Sequence, residues 1–406
     1  LAYQDSVGEI DIEKIKARTS DNAVDIFVYD TRKDSDGGAW RHRTQNTSWY
    51  NESVSATRGA RKEFPAVAVL VVTDNSDSTP STLVIYDGDD PNLPMWMKWE
   101  RDTTQDPFFD YSTPGSHHLG NYEPTSVSAL NGIICVGTYR SAGALSNLNA
   151  GLREFHFIED ACYASNDDKR VKFPTSIADR DVVTTGYFQV IPNRPIVNTN
   201  VNDVEMIVLP NAPIDQFSGL PVPTVALATE GGVSIIMNDG TIHSSGDGLD
   251  WSLVNISEAN GGRKVLNYIF SIGGTVRHKF IDNIGGSGTF DRDYEDYPHT
   301  SASTSVASNG NSDVYGHSSG LMIYKRGNDP GSWNNADFDD SKARVTSSFN
   351  TGYMHGDIKG AFLSDTSTTN ITGSELVTNG NFSANSNWTY QGGTTSFNIS
   401  SGKLNY

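Results

Sequence analysis

Long apolar runs are missing from this chain. No stretch approaches the roughly 20 residues that a membrane-spanning helix needs, so no membrane insertion is expected. The opening LAYQDSVGEI has neither the basic start nor the apolar core of a secretion signal, and it lacks an initiator methionine. Cysteine is nearly absent: Cys135 in GIICVGT and Cys162 in EDACYAS are the only two. They make no CxxC and no disulfide framework, which predicts two buried reduced thiols and a stability that comes from packing. Basic residues are also scarce. Thirty Lys and Arg stand against 49 Asp and Glu, a formal net charge of −19 that repels phosphate backbones and disfavours nucleic acid as a partner. Good helix formers rarely run together, and GEIDIEKIKAR (8–18) is the one helix expected.

Glycine, serine, threonine, asparagine and aspartate are abundant, as many short strands joined by turns require. Seven Trp, 17 Tyr and 17 Phe argue for a packed core rather than disorder. The strand-like runs recur. GLREFHFIED begins at Gly151, GYFQVIPNR at Gly186, GVSIIMNDG at Gly232, GTVRHKFIDN at Gly274 and GLMIYKRGND at Gly320. STLVIYDGDD from Ser81 and AVDIFVYDT from Ala23 share the shape without the glycine. A period of about 40–45 residues with several strands per unit predicts an all-β fold, a β-propeller of about six or seven blades over residues 23–345. The segments 124–138, 222–232 and 303–320 read as inner hairpins of its blades, each turning through Gly or Asn.

A third recurrence follows the strands. VYD leads through TRKDSDGGAW to Trp40, IYD through GDDPNLPMW to Trp96, TIH through SSGDGLDW to Trp251, and IYK through RGNDPGSW to Trp333. The run from Ser245 to Trp251 resembles a shortened Asp-box of sialidase-type propellers. In such turns Asp and Gly shape the backbone, and the Trp caps the apolar layer between blades. Asp87, Asp89 and Asp90 are therefore expected to be turn residues rather than metal ligands or catalytic carboxylates.

Three other motifs carry chemistry elsewhere and are weighed here against plainer readings. GHSSG (316–320) matches the GxSxG nucleophile elbow, with Ser318 as nucleophile, but β-rich sequence follows where a helix is needed. His117 and His118 are adjacent, and neighbouring strand side chains point to opposite faces, so a polar loop is expected there. A glycosidase needs two carboxylates about 5–10 Å apart, and the acidic residues are too many to single out a pair. The arginines of TRGARKEF, RHRTQ and DDKRVKF read as exposed turns.

Around residue 345 the pattern stops. Residues 1–22 form a lead-in, 346–374 read as a connecting segment, and 375–406 look like the first strands of a carbohydrate-binding jelly roll. The marks are Leu376-Val377, the turn from Asn379 to Phe382, and Trp388. Trp388 and Tyr390 are the candidate carbohydrate-binding residues, and packing in the core is the favoured role for both.

Several long phrases, EFPAVAVLVVT with LVIYDGDDPNLPMWM, VNDVEMIVLPNAPIDQFSGLPVPTVALATEGGVSII, GYMHGDIKGAFLSDT and ELVTNGNFS, resemble virion or tail-associated proteins of marine bacteriophages. The resemblance implies a propeller platform followed by lectin-like modules within a phage tail, localised to the virion. It implies other virion or tail proteins as partners, a homo-oligomer and host surface glycans as a target. No catalytic residue, metal or cofactor follows from it. The expected function is a non-enzymatic scaffold that presents glycan-binding modules for host attachment. The alternative is a secreted glycoside hydrolase with a propeller catalytic domain.

Overall fold

The computed structural model describes residues 23–73, 81–100, 123–139, 150–180, 189–191, 195–245 and 251–259, followed by strand backbones between 263 and 345 and at 398–405. The chain divides into two compact units, Leu1–Thr346 and Ser347–Tyr406. The expected helix at 8–18 lies outside the described residues.

The described part of the first unit is all-β, built of five antiparallel sheets formed in chain order. Sheet I comprises β1 (Ala23–Asp30), β2 (Val67–Thr73), β3 (Thr82–Asp87) and β4 (Met95–Glu100). Sheet II has six strands: β5 (Glu123–Leu130), β6 (Ile133–Tyr139), β7 (Gly151–His156), β8 (Ala161–Ser165), β9 (Arg170–Lys172) and β10 (Gln189–Ile191). Sheet III comprises β11 (Val201–Ile207), β12 (Thr224–Thr229), β13 (Gly232–Ile236) and β14 (Ile242–Ser244). Sheet IV comprises β15 (Trp251–Ala259), β16 (Arg263–Ile272), β17 (Thr275–Asp282) and β18 (Arg292–Tyr294). Sheet V comprises β19 (Ser303–Ser308), β20 (Ser312–His317), β21 (Gly320–Lys325) and β22 (Ala343–Val345). The second unit contributes one hairpin, β23 (Asn398–Ser400) with β24 (Lys403–Asn405).

Each sheet is a meander in which neighbours in sequence are neighbours in space. Short turns fix the registers. Asn131 and Gly132 both take positive φ (52° and 75°) between Leu130 and Ile133, the backbone a two-residue hairpin turn demands. Gly151 and Gly232 open the third strands of sheets II and III with φ of 135° and 143°. A Cβ at either would collide with a backbone carbonyl of the fourth-strand side, Ser165 or Ser245, so only glycine fits. In both hairpins a threonine, Thr138 or Thr229, donates its hydroxyl to the glycine carbonyl.

The sheets stack face to face because alternate residues of each strand point to opposite neighbours. On β6, Ile134 and Val136 join the core shared with sheet I, while Cys135 joins the core shared with sheet III. On β12, Val225 and Leu227 face sheet II and Ala226 and Ala228 face the side of sheet IV. Cys162, on β8, lies in the sheet I–II core, opposite in direction to Cys135. Both thiols are reduced and buried, as expected, and burial raises both pKa values well above the ordinary.

The connection 31–66 between β1 and β2 folds into the sheet I–II core and supplies Trp40, Trp49 and Phe64. Phe64 packs 4.9 Å from Trp96 and 4.8 Å from Phe157, edge-on in each case, and each such pair contributes roughly 0.5–1.5 kcal/mol beyond area burial. Buried Asp34 accepts from Tyr29 Oη (2.6 Å), Trp40 Nε1 (2.7 Å) and Asn131 N (2.8 Å), which pins this connection to the β5–β6 turn.

The recurrent runs occupy the sheets unequally. Those from Ser81, Gly151, Gly232, Gly274 and Gly320 supply the third strand of sheets I to V. The Ala23 run is the first strand of sheet I, and the Gly186 run reaches only β10, the sixth strand of sheet II. Both belong to sheets already represented, so the runs mark five sheets among the described residues rather than six or seven. Segment 222–232 likewise covers β12 and the start of β13, not an innermost hairpin, while 124–138 and 303–320 do begin on first strands. An alternating run has the same pattern at any place in a sheet, which is why these were indistinguishable before the pairing was known.

Candidate functional site

The most regular feature of the first unit is a bulge. In all five first strands one residue is skipped near the start, at Val24, Thr125, Asn202, Ser252 and Thr304. The extra residue bends the strand and tightens its twist. Successive first strands then pack side by side: β1 on β5, β5 on β11, β11 on β15 and β15 on β19.

In sheets I and III the residue after the bulge clasps the next sheet. Asp25 accepts from Ile26 N (2.8 Å) within its own strand and from Val127 N (2.9 Å) on β5. Asp203 repeats this, accepting from Val204 N (2.9 Å) and from Val254 N (2.9 Å) on β15. Sheet II has Ser126 at the corresponding position. Its buried hydroxyl has no hydrogen-bond partner among the described residues, and Thr125 Oγ1 donates instead to Val201 O (2.7 Å).

These aspartates and Glu205 form an acidic group on the first strands. Burial pushes Asp203 up to about 8, helped by the charges of Glu205 and Asp25 and opposed by the Val254 and Val204 amides. Burial, with the charge of Asp25 behind it, raises Glu205 to about 7. Asp25 is raised by burial as well. Sequence reading missed all three, although AVDI at 23–26 and VNDV at 201–204 place aspartate before a β-branched residue at the same point of the strand. Among the described residues no group of three or more His, Cys, Asp or Glu is arranged to hold a metal ion.

Asp87, Asp89 and Asp90 form a turn, as expected. Asp87 Oδ1 accepts from Asp89 N (3.1 Å), and Asp90 Oδ1 from Asn92 N (2.8 Å). Asp89 accepts from Ala66 N (2.8 Å) and Val67 N (2.9 Å), and Arg61 Nη1 bridges Asp87 (2.8 Å) and Asp89 (2.7 Å). Burial alone pushes Asp89 upward, yet the Ala66 and Val67 amides and Arg61 hold it below the usual carboxylate range.

Five sequence readings change or fall outside. Trp388, Tyr390, His117, His118 and Ser318 lie outside the described residues. The strands flanking Ser318 pair as a β-hairpin, with His317 opposite Gly320, where a nucleophile elbow needs a helix. The tryptophans are not equivalent: Trp40 lies in the short 3-10 helix Ala39–Arg43, Trp96 in β4, and Trp251 begins β15. The arginines of TRGARKEF and DDKRVKF are not exposed turns. Arg58 is buried, its guanidinium 4.5 Å from the Trp96 ring and donating to the carbonyls of Trp96 (3.0 Å) and Lys62 (3.0 Å), and burial lowers its pKa to about 10. Partners that only the fold assembles hold these side chains, carbonyls for Arg58 and carboxylates for Arg61 and Arg170, so charge-rich local sequence gives no warning of it.

A pocket of about 230 Å³ opens where the β5–β6 turn, the β7–β8 turn and the segment 208–223 meet. Its ionisable lining on the sheet II side comes from β7, β8 and β9 and the turn between the first two. Arg170 donates from Nε and Nη2 to both oxygens of Glu154 (2.9 and 2.8 Å). Glu159 accepts from Tyr163 Oη (2.8 Å) and Lys172 Nζ (2.6 Å). His156 Nε2 lies 3.3 Å from Glu154. Burial pushes Glu154 up, but the charge of Arg170 and the contacts of His156 and Arg170 bring it to about 2. Tyr163 is driven well above its ordinary value by burial and by Glu159, which keeps it a phenol. Phe217, 74% exposed, also lines the pocket.

No protein-family model and no curated protein matches the chain. Solved structures resemble it distantly. BBS1N in complex with ARL6DN is 12% identical, with a TM-score of 0.33 over 64% of this chain and 61% of that one. The extracellular domain of a hybrid two-component system from Bacteroides thetaiotaomicron is 10% identical, with a TM-score of 0.31 over 69% and 32%. An endo-arabinase from the same species is 11% identical, with a TM-score of 0.28 over 68% and 88%. Likenesses of this size carry no argument about what the chain does.

Proposed function

We propose that the five sheets are blades of a β-propeller and that this propeller is a rigid, non-enzymatic component of a bacteriophage tail, presenting the C-terminal unit to host-surface glycans. The observation that supports it most is the bulged first strand repeated in every sheet, clasped by an aspartate in sheets I and III. First strands that pack side by side in chain order are what blades around a common axis require. Val24, Ile26 and Val28 point outward on β1 and are 43%, 41% and 48% exposed. In a closed ring this apolar stripe is the seam on which the last blade seats. The ionisable groups favour a scaffold too. Asp25 and Asp203 each hold two backbone amides, and Arg58, Arg170 and Arg180 are each engaged by carboxylates or carbonyls. The virion role and the glycan target rest on the long sequence phrases alone.

Electron microscopy of the purified chain tests the architecture, with a closed ring expected and an open stack of sheets overturning it. Capsid, portal and terminase genes beside the coding sequence are expected for the virion role. A glycoside hydrolase is the second reading, favoured by Asp203 and Glu205, two carboxyls with raised pKa values two residues apart on β11. The scaffold reading expects binding of host polysaccharide without release of reducing ends. Release that disappears in Glu205→Gln would put the hydrolase in its place.

A further inference from the structure

The pocket between sheet II and segment 208–223 has the character of a ligand site rather than a packing fault. Its volume of about 230 Å³ is below the roughly 300 Å³ at which pockets for drug-sized molecules begin, so its ligand is small, about one six-membered ring. Its lining is already fixed. Arg170 is held by Glu154 and lies 4.3 Å from the Tyr163 ring, and Glu159 is held by Tyr163 and Lys172. Side chains that need no ordering on binding lose little entropy when a ligand arrives.

Phe217 is exposed yet rigidly mounted. The Asp215 carboxylate accepts from Phe217 N (3.2 Å) and Ser218 N (2.7 Å). The same turn is closed by Gly219 N to Asp215 O (2.8 Å) and Asp215 N to Leu220 O (2.9 Å). A large aromatic ring held at a pocket, with few torsions of its own, is suited to stack on an apolar face.

Charge narrows the ligand class. The cations at the pocket, Arg170 and neighbouring Lys172, are each paired with a glutamate, so no unpaired cation there invites a phosphate or carboxylate. The chain as a whole carries −19 and repels anions. A purely apolar ligand would leave Glu159, His156 and Arg170 facing hydrocarbon, which is costly. A ring with one C–H face and a fringe of hydroxyls suits all of these surfaces.

We propose that this pocket binds one ring of a neutral glycan, with Phe217 stacking on its apolar face and Glu159 and Arg170 bonding its hydroxyls. The inference deepens the glycan-presenting reading above and rests on it for the ligand's source, because it adds a sugar subsite to the first unit itself.

The test is titration of the full chain with glucose, galactose, mannose and N-acetylglucosamine, followed by saturation-transfer NMR. At least one sugar is expected to bind with a dissociation constant on the order of millimolar, the affinity a ligand of this size reaches. Phe217→Ala is expected to weaken it about tenfold while leaving the unfolding midpoint in place, since the ring is exposed. Glu159→Gln should weaken it without abolishing it. No saturable binding by any of the four at about 100 mM, or a Phe217→Ala constant within about twofold of the parent, overturns the proposal. Host polysaccharide retained equally by the parent chain and Phe217→Ala, with no monosaccharide bound, refutes this pocket and leaves the scaffold reading standing. Sugar bound at Phe217 by a chain that forms no ring supports the pocket and removes the scaffold.

Discussion

Replacing Arg180 with Met should strip out the strongest polar tie between sheets I and II while keeping its stem volume. Arg180 is buried, and both its terminal nitrogens meet Glu52 at 2.8 Å. Nε donates to Lys98 O (2.8 Å) and Nη2 to Thr57 O (2.8 Å). Removing one member of a buried ion pair costs about 3–5 kcal/mol. Each carbonyl left without a donor adds roughly 1–3 kcal/mol. Two features soften the loss: Glu52 keeps Arg58 at 3.8 Å, and its side chain is 17% exposed. The expected destabilisation of Arg180→Met is therefore about 3–4 kcal/mol. Urea unfolding followed by tryptophan fluorescence reads it as a lower midpoint at unchanged slope. Glu52→Gln should cost a comparable amount, because it leaves the Arg58 and Arg180 cations close together without their anion. The double variant should be less destabilised than the sum by about 2 kcal/mol. A loss under about 1 kcal/mol, or additive single losses, refutes the account of this interface.

Stability should fall as pH rises from about 4 to 8: Asp203 and Glu205 have folded pKa values of about 8 and 7, so their contribution is complete below the unfolded values near 4 and has been lost once pH has passed through the folded ones. Asp203→Asn should flatten that slope, and an unchanged midpoint-against-pH curve would count against the acidic group. Glu154 acts in the opposite sense, its contribution being lost as pH falls from about 4 toward 2. Gly151→Ala and Gly232→Ala should each cost about 2 kcal/mol or more, by φ strain and collision with the Ser165 or Ser245 carbonyl; calorimetry finding either one neutral would contradict the shared hairpin geometry. Ser126→Ala should change the unfolding free energy by less than about 0.5 kcal/mol or raise it, since the hydroxyl removed has no partner among the described residues.

Composition and turn chemistry made the all-β architecture legible, because the runs are β-branched and the turns hold Gly and Asn where positive φ is needed. Gly151 and Gly232 were found as run-opening residues and occupy matching hairpin positions in the structure. The aspartates after Tyr86 were identified as a turn for the right reason, since side-chain-to-backbone bonding is local. Strand position within a sheet was not legible, because alternation at Ala23 and at Gly232 has the same pattern although one is a first strand and the other a third. Insertions hid the spacing further: β1 and β2 are separated by the aromatic connection 31–66, and sheet II carries two additional strands. Asp25 and Asp203 are not recognisable in sequence because their role depends on an amide of the following sheet, a whole sheet's length of chain away, at Val127 and Val254.

The opposed directions of Cys135 and Cys162 have a chemical consequence. Their strands lie one apart in sheet II, but one sulfur points toward sheet I and the other toward sheet III, with the sheet itself between them. A disulfide needs its Cβ atoms on converging vectors within about 4.5 Å, which this sheet forbids without coming apart. Burial also suppresses the thiolate that exchange or oxidation requires. The folded unit is thus indifferent to redox potential, and its tolerance of glutathione or of air should be the same.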